Sequence, residues 1–156
     1  MSMDLQAALQ AQGLTLPPAP KPAGSYVPAV QSGNLVFIAG QLPFDNGVVA
    51  VKGHLGADVS LEDAQQAARL CVLNAMAVLG AHLDGDFSRI ERVVRVGGFV
   101  ACTPDFTQHP AVINGASDLL VALLGEAGKH ARAAVGVAAL PLGAAVEIEF
   151  LVQVRG

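Results

Sequence analysis

Between Ala145 and Val154 the chain alternates without interruption. Val146, Ile148, Phe150, Val152 and Val154 form one set, and Glu147, Glu149, Leu151 and Gln153 stand between them. A period of two places the first set on one side of an extended backbone and the second on the other, so the stretch is a β-strand with one face buried. The apolar segment before it, Ala133 to Leu140, is broken by Gly136, and Leu140-Pro141-Leu142-Gly143 between the two reads as a turn. Arg132 enters the first segment, and Glu147 and Glu149 share one face of the second. Only 14% of the 156 residues are charged, against roughly 25% in ordinary soluble domains. Three ionisable groups beside an apolar pair of strands therefore mark a candidate site.

The rest of the chain supplies the partners such a strand needs. Residues 1 to about 13 carry a weak helical spacing, with Leu5 and Leu9 ahead of Gly13, and Leu16 to Gly24 is a proline-stiffened lead-in that cannot donate a regular ladder. Tyr26 to Val30 and Leu35 to Ala39 are short apolar strands joined through Gln31-Ser32-Gly33-Asn34, and a third strand, Val48 to Val51, is expected after Asp45-Asn46-Gly47. Ser60 followed by Asp63 opens a helix expected to reach about Leu83, with Leu61, Ala64, Ala68, Cys71, Ala75, Val78 and Leu79 on its apolar face. Ile90 to Cys102 reads as a long central strand in which Gly97-Gly98 signals a bulge or a close backbone approach. A second helix, Ala111 to about Leu124, opens after Pro110 and stops at Gly125. The order βββ-α-β-α-ββ predicts an α+β domain whose two helices cover one sheet face. The other face is left for a partner.

Composition narrows the function classes. One domain over 25–156 with an N-terminal arm over 1–24 is expected for this length. The longest uncharged runs fall short of the ~20 residues of a membrane span, and the N-terminus lacks the basic start and apolar core of a signal peptide. The expectation is therefore a cytoplasmic protein with no membrane partner. Nine Lys and Arg against thirteen Asp and Glu leave a net charge of −4, the wrong sign for a phosphate-driven nucleic-acid binder. Cys71 and Cys102 sit in apolar contexts without CxxC spacing and read as packing thiols.

The sequence contains no GxGxxG, phosphate-loop, HExxH or GxSxG signature, and its four histidines lack metal-ligand spacing, so nothing asks for a metal. Two readings of each candidate stand side by side. Arg132 is either a solvated surface residue or a carboxylate clamp, since its planar guanidinium offers two parallel donors. Glu147 and Glu149 are either a solvated polar face or a general base opposite that clamp. Tyr26 reads as a residue that packs rather than reacts, and Asn114, on a helix, as one that faces water.

Taken together, several segments change the balance. Tyr26-Val27, the run Ser32 to Pro43, Asn114, Arg132, Leu140-Pro141 and Val146-Glu147-Ile148-Glu149 resemble, in order and spacing, the reactive intermediate deaminase (RidA/YjgF) family. That resemblance implies a chorismate-mutase-like fold, a six-stranded mixed sheet backed by two helices on one face, assembling as a homotrimer with clefts between subunits. It implies hydrolytic deamination of enamine or imine intermediates to 2-keto acids without a cofactor. Arg132 then corresponds to the arginine that holds the substrate carboxylate and Glu147 to the group that orients or activates water. Tyr26, Gly40 and Asn114 match cleft-lining positions. Ala134 stands where many members have a cysteine whose main-chain carbonyl is used, and Gly136 replaces a commonly polar residue. A trimeric module that binds a small carboxylate or keto acid without turnover is the alternative, and the endoribonuclease activity attached to parts of the family is disfavoured by the charge.

Overall fold

The computed structural model describes residues 4–22 and 24–156. Its elements in chain order are α1 (Leu5–Ala11), β1 (Ala29–Ser32), β2 (Leu35–Gln41), β3 (Phe44–Asp45), β4 (Val48–Val49), α2 (Leu61–His82), β5 (Ile90–Ala101), α3 (His109–Leu124), β6 (Ala131–Val137) and β7 (Val146–Val154). The main sheet runs β1-β2-β7-β5-β6, with β5 and β6 parallel and every other pair antiparallel. β7 lies at its centre. Val146, Ile148, Phe150, Val152 and Val154 are all buried, each contributing about 1.5–3 kcal/mol of apolar burial, so the alternation settles which face meets the helices.

The expected six-stranded sheet is corrected to five strands plus a separate hairpin. Asn46 and Gly47 both take positive φ, 51° and 80°, the pattern of a two-residue turn that matches strand twist. Val48–Val49 therefore folds straight back on Phe44–Asp45. Among the described residues two helices become three, because residues 5–11 form α1, capped by Asp4, whose side chain accepts from Ala7 N at 3.1 Å. Leu5 and Leu9 anchor it in the core, and it packs on α3. Residues 1–3 of the expected arm, and Ala23, lie outside the described residues. The first strand begins at Ala29 rather than Tyr26, after Pro28, which has no N–H for a ladder.

The helices follow the sequence closely. Ser60 Oγ accepts from Asp63 N at 3.1 Å and starts α2. The helix is buried on more than one face from Cys71 to Leu79, since it lies over β2 and β7 and also against α3. Asn74 is the polar exception: its Nδ2 donates to the carbonyls of Leu42 and Phe44, both at 3.1 Å. Val112, Ala116, Leu119, Leu120 and Leu123 form the buried stripe of α3, and Gly125 at φ +61° ends it. By length and composition His109–Gly128 is apolar enough to cross a membrane, but here that apolar stripe is packed against α2 and the sheet. Gly97-Gly98 marks close approach and no bulge. A Cβ on Gly98 would stand 2.6 Å from Ile113, while the register shifts in β5 fall nearer its start, between Ile90 and Arg95.

The opposite sheet face is open. Phe37 and Val135 are 48% and 45% exposed, and Leu35, Phe99, Glu147, Glu149 and Leu151 stand on the same side by strand pairing.

Candidate functional site

Glu147 lies on the open face, where β7 passes the end of β2. With Tyr26, Gly40, Ala39, Gln41 and Pro141 it lines a cavity of about 430 Å³. β2 brings Gly40 so close that a Cβ there would stand 2.5 Å from Glu147 Oε2. The absent side chain is what admits the carboxylate. Burial pushes the Glu147 carboxyl above its ordinary pKa, and the neighbouring negative charge of Glu149 adds to the shift. A carboxylate raised in this way and facing a cavity is suited to taking a proton from water.

The far walls include residues that sequence reasoning did not assign to the site. Pro20, Lys21 and Pro22 of the lead-in and Phe44 of β3 complete the cavity. Pro20, Lys21 and Phe44 also wall an adjoining space of about 710 Å³ that reaches Leu70, Leu73 and Asn74 on α2. The Asn74 side chain positions this wall by holding the two carbonyls between β2 and β3. A lone asparagine inside the run Cys71-Val-Leu-Asn-Ala-Met-Ala-Val78 is the signal that could have found it, since a buried amide needs specific partners.

Arg132 is elsewhere in the single chain. It pairs with Val96 across β5, whereas Glu147 pairs with Phe99. Val96 and Phe99 are three residues apart on one strand, so the two site candidates point to opposite faces of the sheet. The sequence expectation of a carboxylate opposite the clamp is not met within one chain. Arg132 Nη1 donates to Ser117 Oγ at 2.9 Å and Nη2 to the Pro110 carbonyl at 3.1 Å. A short relay aims it. His130 Nδ1–H donates to the Gly128 carbonyl at 2.6 Å, leaving Nε2 to accept the Ser117 hydroxyl at 2.8 Å. The Ser117 oxygen then accepts from the guanidinium. These bonds use one N–H on each terminal nitrogen and leave further donors of the fork for a ligand. Ala134 shares this face, half-buried, and Asn114 is exposed on α3. Both belong to the β6 edge and not to the Glu147 cavity.

Thus the structure gathers Tyr26, Gly40 and Glu147 at one place and Arg132, Ala134 and Asn114 on the outer strand β6 and the helix beside it. Comparison with known proteins gives these two clusters a context. Residues 6–153 match the family described as "YjgF/chorismate mutase-like, putative endoribonuclease". The chain is 46% identical over 150 residues to Protein TCP17 of Trypanosoma cruzi, covering 96% of this chain and 93% of that one. It is 32% identical over 142 residues to a 2-iminobutanoate/2-iminopropanoate deaminase of Dermatophagoides farinae, covering 91% and 95%. The crystal structure of Atu1372, a protein of unknown function from Agrobacterium tumefaciens, superposes with a TM-score of 0.92 at 48% identity, over 97% and 92% of the two chains. With a match spanning nearly its whole length and a fold that places the matching residues on the surfaces described, the chain belongs to the YjgF/RidA family.

Proposed function

We propose that this protein hydrolyses reactive imines, and the enamines that tautomerise to them, to 2-keto acids and ammonia, in clefts formed between the subunits of a homotrimer. The observation that carries the reading is Glu147: a carboxyl of raised pKa on the wall of a cavity, with Gly40 cleared to admit it and Tyr26 beside it. The deaminase name of the Dermatophagoides relative supports the same chemistry.

The separation of the two half-sites supports the assembly. A neighbouring copy that lays its β6 edge against the open face would bring its own Arg132, Ala134 and Asn114 to the Glu147 cavity. It would also cover Phe37 and Val135, which a lone chain leaves in water. In that cleft the Arg132 fork holds the substrate carboxylate. Glu147 takes a proton from water as its oxygen adds to the C=N carbon, the nitrogen is protonated, and the tetrahedral carbinolamine collapses to the ketone with loss of ammonia. One water is consumed and the product is the 2-keto acid, so no redox partner is needed. A cytoplasmic site of action is part of the same proposal.

The test is direct. Imino acids generated in situ by an amino-acid oxidase should release ammonia faster with the protein than without it, and Glu147→Gln should remove most of the difference. If keto acids bind with no acceleration at any concentration of protein, the trimeric binding module is the correct reading.

A further inference from the structure

A cysteine and a histidine meet outside the Glu147 cavity and have no part in the chemistry above. Cys102 follows β5 and His109 is the first residue of α3. Cys102 Sγ and His109 Nε2 are 3.4 Å apart, hydrogen-bond distance for sulfur. They line a cavity of about 520 Å³ with Thr103, Pro104, Phe106, Gly136, Val137 and Ala138. Both ends of the pair are held in place. Cys102 N donates to the Val137 carbonyl at 3.1 Å and Thr103 N to the Leu55 carbonyl at 2.9 Å. The Phe106 ring meets the imidazole edge to face at 5.3 Å between centroids.

The space around the pair depends on Gly136. A Cβ there would stand 2.5 Å from His109 Nε2 and 2.6 Å from Cys102 Sγ, so a larger residue on β6 would displace the pair from its present position. Gly136 has no positive φ to account for it. We propose that Cys102 and His109 form a thiol–imidazole couple that adds covalently to soft carbon electrophiles, specifically α,β-unsaturated carbonyl compounds. His109 Nε2 takes the thiol proton, sulfur bonds to the β-carbon, and the π pair moves to the enolate. The imidazolium then returns its proton to the α-carbon. The sum is an addition with no leaving group and no change of oxidation state beyond the two reactants. The largely apolar wall of Pro104, Phe106 and Val137 suits such a ligand better than a metal ion, for which two ligands are too few. Among the described residues no group of three or more His, Cys, Asp or Glu side chains is placed to hold a metal ion.

N-ethylmaleimide, itself an unsaturated carbonyl, is the probe, used on the intact protein with mass mapping of the adduct. Cys71 is a built-in control, because it is fully buried in α2. Cys102 alone should be labelled, faster than the thiol of glutathione at pH 7, and Cys102→Ser should leave the folded protein unlabelled. His109→Gln should slow labelling at least about tenfold. Gly136→Ala should slow it too by displacing the pair, with circular dichroism unchanged. Other groups near the couple are accounted for: Asp105 accepts the Thr103 hydroxyl at 2.6 Å, His54 Nε2 bonds the Ala138 carbonyl at 2.8 Å while His54 N donates to Asp58, and Arg132 is on the Pro110 carbonyl. A His109→Gln protein with the wild-type rate at every pH, or a Cys102 no more reactive than glutathione, overturns the proposal. Because the readout is adduct mass, it stands or falls independently of deaminase activity.

Discussion

Gly40 leaves open the ground that Glu147 occupies: a Cβ on the glycine would stand 2.5 Å from Glu147 Oε2 and 3.0 Å from its carboxyl carbon. Gly40 is not at positive φ, so the requirement is for space and not for backbone freedom. Gly40→Ala should therefore fold but displace the carboxylate by some tenths of an ångström or more. Misplacement on that scale lowers turnover, by an expected tenfold or so, while stability should change little, because the atom in the way ends a flexible side chain that faces a cavity. Ammonia release and a thermal melt on one preparation separate the two effects. Full activity in the alanine variant would show that Glu147 needs no such exact seat.

Glu147→Gln should reduce turnover by roughly 10²–10⁴, the usual contribution of a positioned base, while a 2-keto acid still binds. The same change should stabilise the fold at neutral pH. Since the folded pKa is raised by burial, the native state binds the proton more tightly than the unfolded chain. Stability then falls as pH rises from the ordinary carboxylate range through the folded value, and the ionised form carries a standing cost above it. The glutamine variant should melt higher than wild type at pH 7, and the gap should close below the ordinary carboxylate range. A gap that widens on acidification would contradict the raised pKa.

Arg132→Lys keeps the charge and loses the planar fork. If the fork grips a carboxylate, keto-acid affinity should drop ten- to hundredfold by calorimetric titration, the worth of about 1.5–3 kcal/mol in charge-assisted bonds. Ser117→Ala is the companion variant. It removes the acceptor that aims Nη1 at 2.9 Å without touching a ligand, and should give a smaller loss in the same direction. Equal affinities in all three proteins would take Arg132 out of the site.

Phe37→Asp tests the assembly. Phe37 is 48% exposed on the open face and pairs with Leu151, so a charge there should be harmless in a monomer and costly at an interface. Sedimentation should show a trimer for wild type and a monomer for the variant. A wild-type monomer at micromolar concentration would remove the inter-subunit cleft.

Asn74→Leu fills nearly the same volume but removes the amide donor that sits 3.1 Å from the Leu42 and Phe44 carbonyls, of which Leu42 keeps the Phe44 N–H at 2.8 Å. A loss of about 1–3 kcal/mol in chemical denaturation is expected, together with weaker ligand binding, because those carbonyls position the wall around Phe44.

Local signals in this chain were sufficient wherever one element decides its own state. The alternation of β7, the Ser60 cap of α2 and the Pro110 to Gly125 span of α3 could all be read directly, because periodicity and capping act over a few residues. The strand count could not, since the choice between joining the main sheet and closing on Phe44–Asp45 was made by two positive φ angles at Asn46 and Gly47. The candidate residues were legible as a set only through the order of the family motifs. Their distribution was not, because which face a strand residue occupies depends on register across the sheet. Arg132 opposite Val96 and Glu147 opposite Phe99 send the two to different sides.

What the sequence by itself determined is the inventory: Arg132 at the head of one apolar segment, Glu147 and Glu149 on one face of an alternating strand, and glycines at 40 and 136. Tertiary structure alone decided what each stands beside. Pairing of β2 with β7 puts Gly40 under Glu147, and the path of α3 across β6 puts Cys102, His109 and Gly136 in one cavity. A glycine that makes room looks like any other glycine until the side chain that fills the room has been placed by contacts far away in the chain.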